Sequence, residues 1–139
     1  MVNLGLVRGV LMGGVKGIMT EKTVLVVDDS SLARMMVRKM FSQQYPSWRV
    51  VEARDGAEAL QVVSGQPVQL AFIDYNMPGI NGIELATQLL QSTPALAIHL
   101  VTANVQQKMQ ERAEALGIGF IGKPVTPDKI AQILGTIPA

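Results

Sequence analysis

Cysteine is absent from this chain, histidine occurs once, at His99, and charged residues make up only 17% of its 139 residues. Without cysteine there are no disulfides and no thiolate metal ligands, and one histidine leaves a zinc site of imidazole groups short of ligands. The formal net charge of +1 provides no strong attraction to nucleic acid. We therefore expect neither a disulfide-held fold nor a zinc protein, and no direct binding to nucleic acid.

Long apolar runs are also missing, and no segment is long enough to span a bilayer. Hydrophobic residues nevertheless make up 48% of the chain, a fraction typical of globular rather than disordered proteins. A length of 139 residues suits one domain with one core. We expect a single cytoplasmic domain with no membrane attachment.

The first eighteen residues differ in composition from the rest of the chain. They contain five glycines, two basic residues and no acidic residue. Glycines at positions 9, 13 and 14 interrupt the apolar stretch that a signal peptide would need, and so many glycines oppose an amphipathic helix. We expect residues 1–18 to be a glycine-rich leader outside the domain, and residues 19–139 to form the domain itself.

From residue 23 onward, strand-like and helix-like segments alternate. β-branched and apolar runs indicate buried parallel strands, and segments with helical spacing of apolar residues follow them. Five such units predict an α/β fold, a doubly wound five-stranded parallel sheet with helices on both faces. The predicted strands are residues 23–28, Trp48–Ala53, Leu70–Asp74, 96–101 and Gly119–Gly122, and the predicted helices are one capped by a serine at 30 or 31, then 57–64, 83–91, 105–116 and 128–134.

The first predicted helix carries four long apolar side chains at helical spacing: Leu32, Met35, Met36 and Met40. A methionine-rich face can line a cofactor site, but methionine side chains more often fill gaps in a hydrophobic core. We therefore expect this face to pack into the core. The basic residues of the same helix, Arg34 among them, are expected on other faces.

Polar residues stand at the carboxyl ends of four predicted strands. Asp28 ends the first strand and Asp29 follows it, Asp74 ends the third, Thr102 follows the fourth, and Lys123 follows the fifth. In open parallel α/β sheets, ligands bind at these strand ends, so one fold would gather three carboxylates, a hydroxyl and an amine in one pocket. Each residue alone has an ordinary explanation, such as a helix cap, a turn hydroxyl or a solvated lysine. The combination favours a functional site.

The chemistry of such a cluster suits phosphoryl transfer. Repulsion among clustered carboxylates is relieved by a hard cation, and Mg²⁺ prefers oxygen ligands and often bridges carboxylate to phosphate. A carboxylate can also attack phosphorus to form an aspartyl phosphate. Mg²⁺, the ammonium of Lys123 and the hydroxyl of Thr102 would each stabilise the negative charge of the transition state.

Five motifs together resemble the receiver domain of two-component response regulators, from about residue 20 to the C-terminus. They are VVDDSSLAR at the first strand end, ARDGAEAL at 53–60, DYNMPGING at 74–82, VTAN at 101–104 and LGIGFIGKP at 116–124. The resemblance implies a flavodoxin-like sheet with the strand order 2-1-3-4-5. The departures are mild: Val125 stands where a larger residue is common and Ile118 where alanine is common, and neither touches the chemistry.

The resemblance also assigns a phosphoryl acceptor and a metal site. It implies that Asp74 accepts the phosphoryl group, that Asp29 binds Mg²⁺ directly, and that Asp28 helps through a water molecule. Asp74 and the backbone carbonyl of Asn76 complete the expected metal ligands. These roles are carried over from the matching residues DD at 28–29 and DYN at 74–76.

Three further residues are expected to respond to the phosphoryl group. By the same resemblance, Lys123 pairs with it, Thr102 moves to form a hydrogen bond with it, and Phe120 is an aromatic switch coupled to Thr102. The resemblance also implies a cis peptide bond between Lys123 and Pro124, which proline makes accessible.

Two asparagines are expected at the mouth of the pocket. Asn76 lies two residues after Asp74, and Asn104 lies two residues after Thr102. Their side-chain amides can orient an attacking water molecule but cannot take its proton, so we expect modest intrinsic hydrolysis that these two positions tune.

The expected function is that of a stand-alone response regulator receiver, phosphorylated by a histidine kinase or a phosphotransfer protein. The sequence ends shortly after the last helix, so the expected output is a surface that binds a downstream protein. The resemblance places this surface on the helix at 105–116, the strand Gly119–Gly122 and the last helix. Such a chain is a phospho-acceptor switch with intrinsic phosphorylation and dephosphorylation chemistry rather than an enzyme.

Two other protein classes use similar parts. Haloacid-dehalogenase-like phosphatases also combine a strand-end aspartate, a threonine, a lysine and Mg²⁺, but typically place a second aspartate two residues after the nucleophile as a general acid. Here Asn76 occupies that position and cannot transfer the proton. A flavodoxin-like module for flavin mononucleotide would need a Ser-, Thr- and Gly-rich phosphate loop after the first strand, where Asp28 and Asp29 would repel the phosphate.

Overall fold

The structure, a computed structural model, describes residues 21–137 of the chain. Within this part of the chain five strands alternate with five helices, which confirms the predicted βα units. None of the helices described there is both long and apolar enough to cross a membrane. The leader predicted for residues 1–18 lies outside the described residues. The elements are β1 Lys22–Val27, α1 Ser31–Gln44, β2 Trp48–Ala53, α2 Gly56–Gly65, β3 Leu70–Asp74, α3 Gly82–Ser92, β4 Ala97–Thr102, α4 Gln107–Ala115, β5 Gly119–Gly122 and α5 Pro127–Leu134.

The five strands form one parallel sheet in the order β2-β1-β3-β4-β5. The predicted order 2-1-3-4-5 is therefore confirmed. The direction in which strands are added reverses between β1 and β3, and ligands of open α/β sheets bind at the carboxyl ends beside such a reversal. Val27 of β1 is paired with Ile73 of β3. The residues that follow this pair, Asp28 and Asp74, therefore lie side by side at the carboxyl end of the sheet.

Helices cover both faces of the sheet because its central strands are apolar on both sides. In β1, Val24 and Val26 belong to a cluster that includes α1 and α5, whereas Leu25 and Val27 belong to a cluster that includes α2, α3 and α4. Successive side chains of a strand point to opposite faces, so one continuous apolar run serves two cores. None of these four side chains is more than 3% exposed. The two cores fix the strands, and with them the positions of the strand ends.

The prediction that Leu32, Met35 and Met36 pack into the core is wrong. They are 61%, 40% and 48% exposed, whereas Val37 and Phe41 of the same helix are 6% and 0% exposed. Residues four apart lie on the same helix face, and the pair of Val37 and Phe41 defines the buried face of α1. Leu32 and Met35 therefore stay largely in solvent, while the partly exposed Met36 lines a cavity between α1 and the segment after β5.

Most element bounds agree with the prediction to within one residue. The strands β2, β3 and β5 have the predicted bounds. The helices α2 and α3 begin one residue earlier than predicted, directly after the residues that cap them. Asp55 accepts a hydrogen bond from Glu58 N, and Asn81 accepts one from Glu84 N, both at 2.9 Å. Such side-chain caps satisfy backbone donors that have no partner inside the helix.

The helix predicted over residues 105–116 is shorter and covers Gln107–Ala115. Asn104 Oδ1 accepts a hydrogen bond from Gln106 N at 3.1 Å, and Gln110 Nε2 donates one to Val105 O at 3.2 Å. These bonds hold Val105 in the loop before α4, where it is 56% exposed. A side chain such as that of Asn104, which bonds to the backbone two residues ahead, competes with helix formation. The residue pattern alone therefore predicts a helix that is too long.

Candidate functional site

The carboxyl ends of four strands deliver the predicted polar residues to one edge of the sheet. Asp28 and Asp29 follow β1, Asp74 is the last residue of β3, Thr102 is the last residue of β4, and Lys123 follows β5. Three of them are buried: Asp28 is 7% exposed, Asp74 4% and Thr102 1%. Buried polar side chains of this kind require partners, so the contacts among them determine what the site can do.

The three aspartates form one cluster. Asp28, Asp29 and Asp74 each place a carboxylate oxygen within 4.8 Å of the others. Asp28 and Asp74 are buried and Asp29 is exposed, so the cluster opens to solvent on one side. Asp28 Oδ1 also accepts a hydrogen bond from Ser30 N at 2.9 Å. Three carboxylates at this spacing are hard oxygen donors, and their chemistry fits Mg²⁺.

Lys123 brings a positive charge into this acidic cluster. Its Nζ lies 3.1 Å from Asp74 Oδ1 and 3.6 Å from Asp28 Oδ2. Its backbone is fixed as well, because Lys123 N donates a hydrogen bond to Thr102 O at 2.9 Å. The peptide bond between Lys123 and Pro124 is cis, as expected. The lysine is therefore held by both its main chain and its side chain.

The charges of the pocket change the proton affinity of two groups. Burial raises the pKa of Asp74 above 3.8, and the nearby carboxylate of Asp28 raises it further, while Lys123 lowers it only in part. For Lys123, burial lowers the pKa, but the hydrogen bond to Asp74 and the charge of Asp28 outweigh it, so that its pKa lies above 10.5. The site thus contains more negative charge than its lysine can balance, and it favours an added cation.

Thr102 is held by the loop that follows it. Its Oγ1 accepts a hydrogen bond from Asn104 N at 3.0 Å. Phe120 lies on the same face of the sheet, because its partner in the β4–β5 register is Leu100, two residues before Thr102. Phe120 is half-buried and packs against the core cluster that includes Leu100. The predicted switch residues are therefore neighbours across one strand pair.

The two asparagines lie on the expected loops, but they differ in what they contact. Asn76 is an exposed residue of the loop between β3 and α3. Asn104 is also exposed, and its side chain already accepts the hydrogen bond from Gln106 N. Asn104 therefore shapes the loop before α4, and Asn76 lies in the loop that follows β3.

Glycine allows α3 to begin close to the end of β3. A Cβ atom on Gly82 would lie 2.6 Å from Asp74 O and 2.9 Å from the Cα of Tyr75. Gly82 N donates a hydrogen bond to Tyr75 O at 2.9 Å. Gly79, in the same loop, has φ of +80°, a conformation that residues with a side chain rarely adopt. The motif DYNMPGING therefore encodes a tight loop directly after Asp74.

Two further residues contact the backbone beside the site, which was not predicted. Arg34 Nη1 donates a hydrogen bond to Asp28 O at 2.6 Å, and its Nε donates one to Glu52 at 3.0 Å. Lys129 Nζ donates hydrogen bonds to Gly122 O at 2.7 Å and to Pro124 O at 3.0 Å. Helical spacing predicts which face of α1 carries Arg34. It does not predict that this side chain reaches a backbone carbonyl at the end of β1.

A mostly apolar cavity of about 150 Å³ opens beside Asp74 and Lys123. It lies between α1 and the segment after β5, and Met36, Pro124 and Val125 contribute to its wall. Val125 is the position where the sequence departs from the larger residue that is common in the resembling family. The cavity thus connects the aspartate cluster with the side chains of α1.

The sequence matches a known family over most of its length. The family described as "Response regulator receiver domain" matches residues 24–135. The sensor protein EvgS of Escherichia coli (strain K12) is 33% identical over 116 residues, which cover 83% of this chain and 10% of EvgS. The positive alginate biosynthesis regulatory protein of Pseudomonas aeruginosa is 30% identical over 113 residues, which cover 80% of this chain and 45% of that protein. The chain thus spans less than half of each of these two relatives.

Solved structures agree with this match. The chemotaxis protein CheY4 of Vibrio cholerae superposes with a TM-score of 0.77 and 25% identity, covering 86% of this chain and all of CheY4. The response regulator TrrA of Thermotoga maritima, solved in complex with Mg²⁺ and BeF, gives a TM-score of 0.72 at 24% identity, covering 82% of this chain and 96% of TrrA. The likeness to TrrA shows the fold alone. With the family match over residues 24–135 and the 2-1-3-4-5 sheet, the chain belongs to the response regulator receiver domain family.

Proposed function

We propose that this receiver domain accepts a phosphoryl group on Asp74 and thereby changes a surface that a partner protein binds. The observation that carries the proposal is the contact of 3.1 Å between Lys123 Nζ and Asp74 Oδ1 inside a cluster of three carboxylates. As a receiver domain, the protein is a phospho-acceptor switch and not an enzyme of the usual kind.

Asp74 is suited to be the nucleophile because it is buried at a strand end and faces a cation. A carboxylate oxygen of Asp74 attacks the phosphorus of the donor, a new oxygen–phosphorus bond forms, and the bond between phosphorus and the donor's leaving group breaks. Negative charge develops on the phosphoryl oxygens during this step. Lys123, which already lies beside Asp74, is positioned to neutralise part of it.

Receiver domains bind Mg²⁺ at an acidic pocket, and the donor set of this chain fits that ion. Asp28, Asp29 and Asp74 would hold it, together with the backbone carbonyl of Asn76. When bound, Mg²⁺ supplies charge neutralisation between the carboxylates and the phosphoryl oxygens. Asp29 is the exposed member of the cluster and therefore the ligand that solvent ions reach first.

Thr102 and Phe120 would convert phosphorylation into a change of surface. The Thr102 hydroxyl accepts its hydrogen bond from Asn104 N and retains its own proton as a donor. Moving that hydroxyl toward a phosphoryl oxygen breaks the bond with Asn104 and loosens the loop before α4. Phe120, half-buried across the strand pair, would occupy the space that Thr102 vacates.

A histidine kinase or a phosphotransfer protein would supply the phosphoryl group. The downstream target would bind the surface formed by α4, β5 and α5, since the moving loop and Phe120 both adjoin it. Among the relatives, EvgS is a sensor protein of which this chain matches 10%, and the alginate regulator is a longer protein of which it matches 45%. The stand-alone character of this receiver stays a prediction, as does its cytoplasmic location.

A haloacid-dehalogenase-like phosphatase is the alternative that shares most of these side chains. That chemistry needs a proton donor two residues after the nucleophile, and Asn76 at this position cannot supply a proton. The loop that follows Asp74, residues 75–81, contains no acidic residue that could replace it. The comparison family is that of receiver domains, which favours the switch over turnover hydrolysis.

The proposal is tested with acetyl phosphate as the phosphoryl donor. The protein is incubated with acetyl phosphate with and without Mg²⁺, and intact mass is recorded over time. We expect the added mass of one phosphoryl group, formed only when Mg²⁺ is present. A protein that gains no phosphoryl mass with Mg²⁺, or that releases phosphate steadily from p-nitrophenyl phosphate, would contradict the switch function.

A further inference from the structure

Lys129 makes an unusual pair of contacts in the first turn of α5. Its Nζ donates hydrogen bonds to Gly122 O at 2.7 Å and to Pro124 O at 3.0 Å. These two carbonyls belong to the residues directly before and after Lys123. The half-buried Lys129 thus uses two of its three ammonium donors on the backbone that flanks the lysine of the acceptor site.

The position of Lys129 runs against the local preferences of a helix start. Thr126 caps α5 by accepting a hydrogen bond from Lys129 N at 3.3 Å. In a capping box the residue at this third helical position is Glu or Gln, which reaches back to the cap. A lysine there makes no such bond, and its charge lies at the positive end of the helix dipole, which is unfavourable. A residue that breaks a local rule is expected to have a compensating role elsewhere.

Anchoring of α5 does not account for that role. Ile130 and Ile133 already attach the helix to the sheet, with 0% and 8% of their side chains exposed. Thr126 provides the cap, and Pro127 at the first helical position is preorganised for a helix start. What the contacts of Lys129 add is a fixed path for the chain between β5 and α5, which contains Lys123.

We propose that Lys129 is a positioning residue that holds the backbone on both sides of Lys123, so that the Lys123 ammonium is presented to Asp74 and to the phosphoryl group. Lys123 N is already tied to Thr102 O, and this N–H belongs to the same peptide group as the carbonyl of Gly122. The bond from Lys129 to Gly122 O holds that peptide group from its other side, and the bond to Pro124 O adds a second fixed point after Lys123. The lysine side chain is long and flexible, and a small rotation of its backbone displaces its Nζ from Asp74.

The inference rests on the proposed function, and its test is designed to separate the two. Wild type, Lys129→Met, Lys129→Arg and Lys39→Met are phosphorylated with acetyl phosphate and Mg²⁺ under identical conditions. Lys39 is an exposed lysine of α1, outside both the site and the proposed binding surface, so Lys39→Met is a matched control for the loss of one positive charge. Thermal melts and Mg²⁺ titrations of each variant are recorded in parallel.

We expect Lys129→Met to slow phosphorylation by about tenfold, the loss expected for a hydrogen-bonded charged group. Lys129→Arg should restore most of the rate, because a guanidinium can also donate to two carbonyls, and Lys39→Met should behave like wild type. Mg²⁺ affinity should be unchanged, since Lys129 touches none of the three carboxylates in the described contacts. If wild type is labelled and Lys129→Met is labelled equally fast, the inference is wrong and the proposed function stands.

A double-mutant cycle distinguishes positioning from general destabilisation. In a Lys123→Met background, Lys129→Met should change the rate by less than about twofold, because the group through which it acts is gone. An equal loss in both backgrounds would mean a merely structural role and would overturn the inference. If Lys123→Met is labelled too slowly to compare, the NMR chemical shifts of the Lys123 side chain are measured instead. These shifts should change when Asp74→Asn is introduced into wild type or into Lys129→Arg. An equally large change in Lys129→Met would also refute positioning.

Discussion

The ammonium of Lys123 lies 3.1 Å from a carboxylate oxygen of Asp74, and this contact links the segment after β5 to the end of the central strand β3. Asp74 is 4% exposed, and a buried carboxylate without a partner is costly. The contact offsets part of that cost, yet burial and the charge of Asp28 still hold the pKa of Asp74 above its ordinary value. The site is therefore built with an excess of negative charge, and several consequences can be measured.

Removing the exposed carboxylate of the cluster should stabilise the protein in the absence of metal. Asp29→Ala relieves repulsion with Asp28 and Asp74, and we expect the metal-free melting temperature to rise by about 3 °C. The same change should weaken Mg²⁺ binding. Melts in EDTA and titrations with Mg²⁺ measure both effects. Glu21→Ala, which removes an exposed carboxylate before β1, serves as the control, and a lower melting temperature for Asp29→Ala would argue against the cluster.

Asp74→Asn should stabilise the metal-free protein only above the pH at which carboxylates ionise. Below about pH 3.8 the side chain at position 74 is uncharged in wild type as it is in the variant, and the free energies of unfolding of the two proteins should differ little. As the pH rises through 3.8, unfolded Asp74 loses its proton while folded Asp74 retains it. Wild type therefore loses stability relative to the variant until the raised folded pKa is passed. Urea denaturation at several pH values measures the difference, and a difference that is the same at every pH would contradict the raised pKa.

Arg34 and Arg38 both pair with Glu52, but only Arg34 also contacts the site, which makes them a matched pair. The side chain of Arg34 is 16% exposed and donates a hydrogen bond to Asp28 O, whereas that of Arg38 is 49% exposed. We expect Arg34→Met to lower the free energy of unfolding by about 1–3 kcal/mol and Arg38→Met by about 0–1 kcal/mol. Mg²⁺ affinity should fall only in Arg34→Met. Equal effects on stability and on Mg²⁺ would show that the bond to Asp28 O does not organise the site.

Asn76 should control how long the phosphoryl group persists. It is exposed directly after the acceptor strand, where an attacking water molecule approaches in line with the phosphorus–oxygen bond. We expect a bulky or charged residue, as in Asn76→Lys, to change the rate of phosphate release several-fold, while the melting temperature stays near that of wild type. Asn104→Asp retains an acceptor for Gln106 N and reports on the second position. Release rates equal to wild type in both variants would mean that neither residue adjoins the path of the water molecule.

The fold and most of the site follow from local sequence signals. The strand β3 is apolar on both faces and ends at Asp74, so its period and its length predict both the strand and the position of Asp74 at its end. The same reasoning locates Thr102 and Lys123, because strand ends of a parallel sheet meet at one edge. The motifs around Asn81 and Asp55 also encode their helix caps directly.

What the sequence does not reveal is decided by packing between distant elements. Leu32, Met35 and Met36 have helical spacing like that of core residues, but the orientation of α1 on the sheet buries Val37 and Phe41 instead. The hydrogen bond from Arg34 to Asp28 O depends on that same orientation. Lys129 differs in this respect, because its position in the sequence is itself unusual: the third residue of a capped helix more often has an acidic or amide side chain.

The central claim is that Asp74, and not another aspartate of the chain, takes the phosphoryl group. The most direct measurement is phosphorylation of wild type, Asp74→Asn and Asp55→Asn with acetyl phosphate and Mg²⁺, followed by intact mass and mapping of the modified peptide. Asp55 caps α2 outside the site, and asparagine caps a helix equally well, so Asp55→Asn controls for the loss of an aspartate. We predict that wild type and Asp55→Asn gain one phosphoryl group on the peptide that contains residue 74, and that Asp74→Asn gains none. Labelling of Asp74→Asn at the wild-type rate would contradict the account.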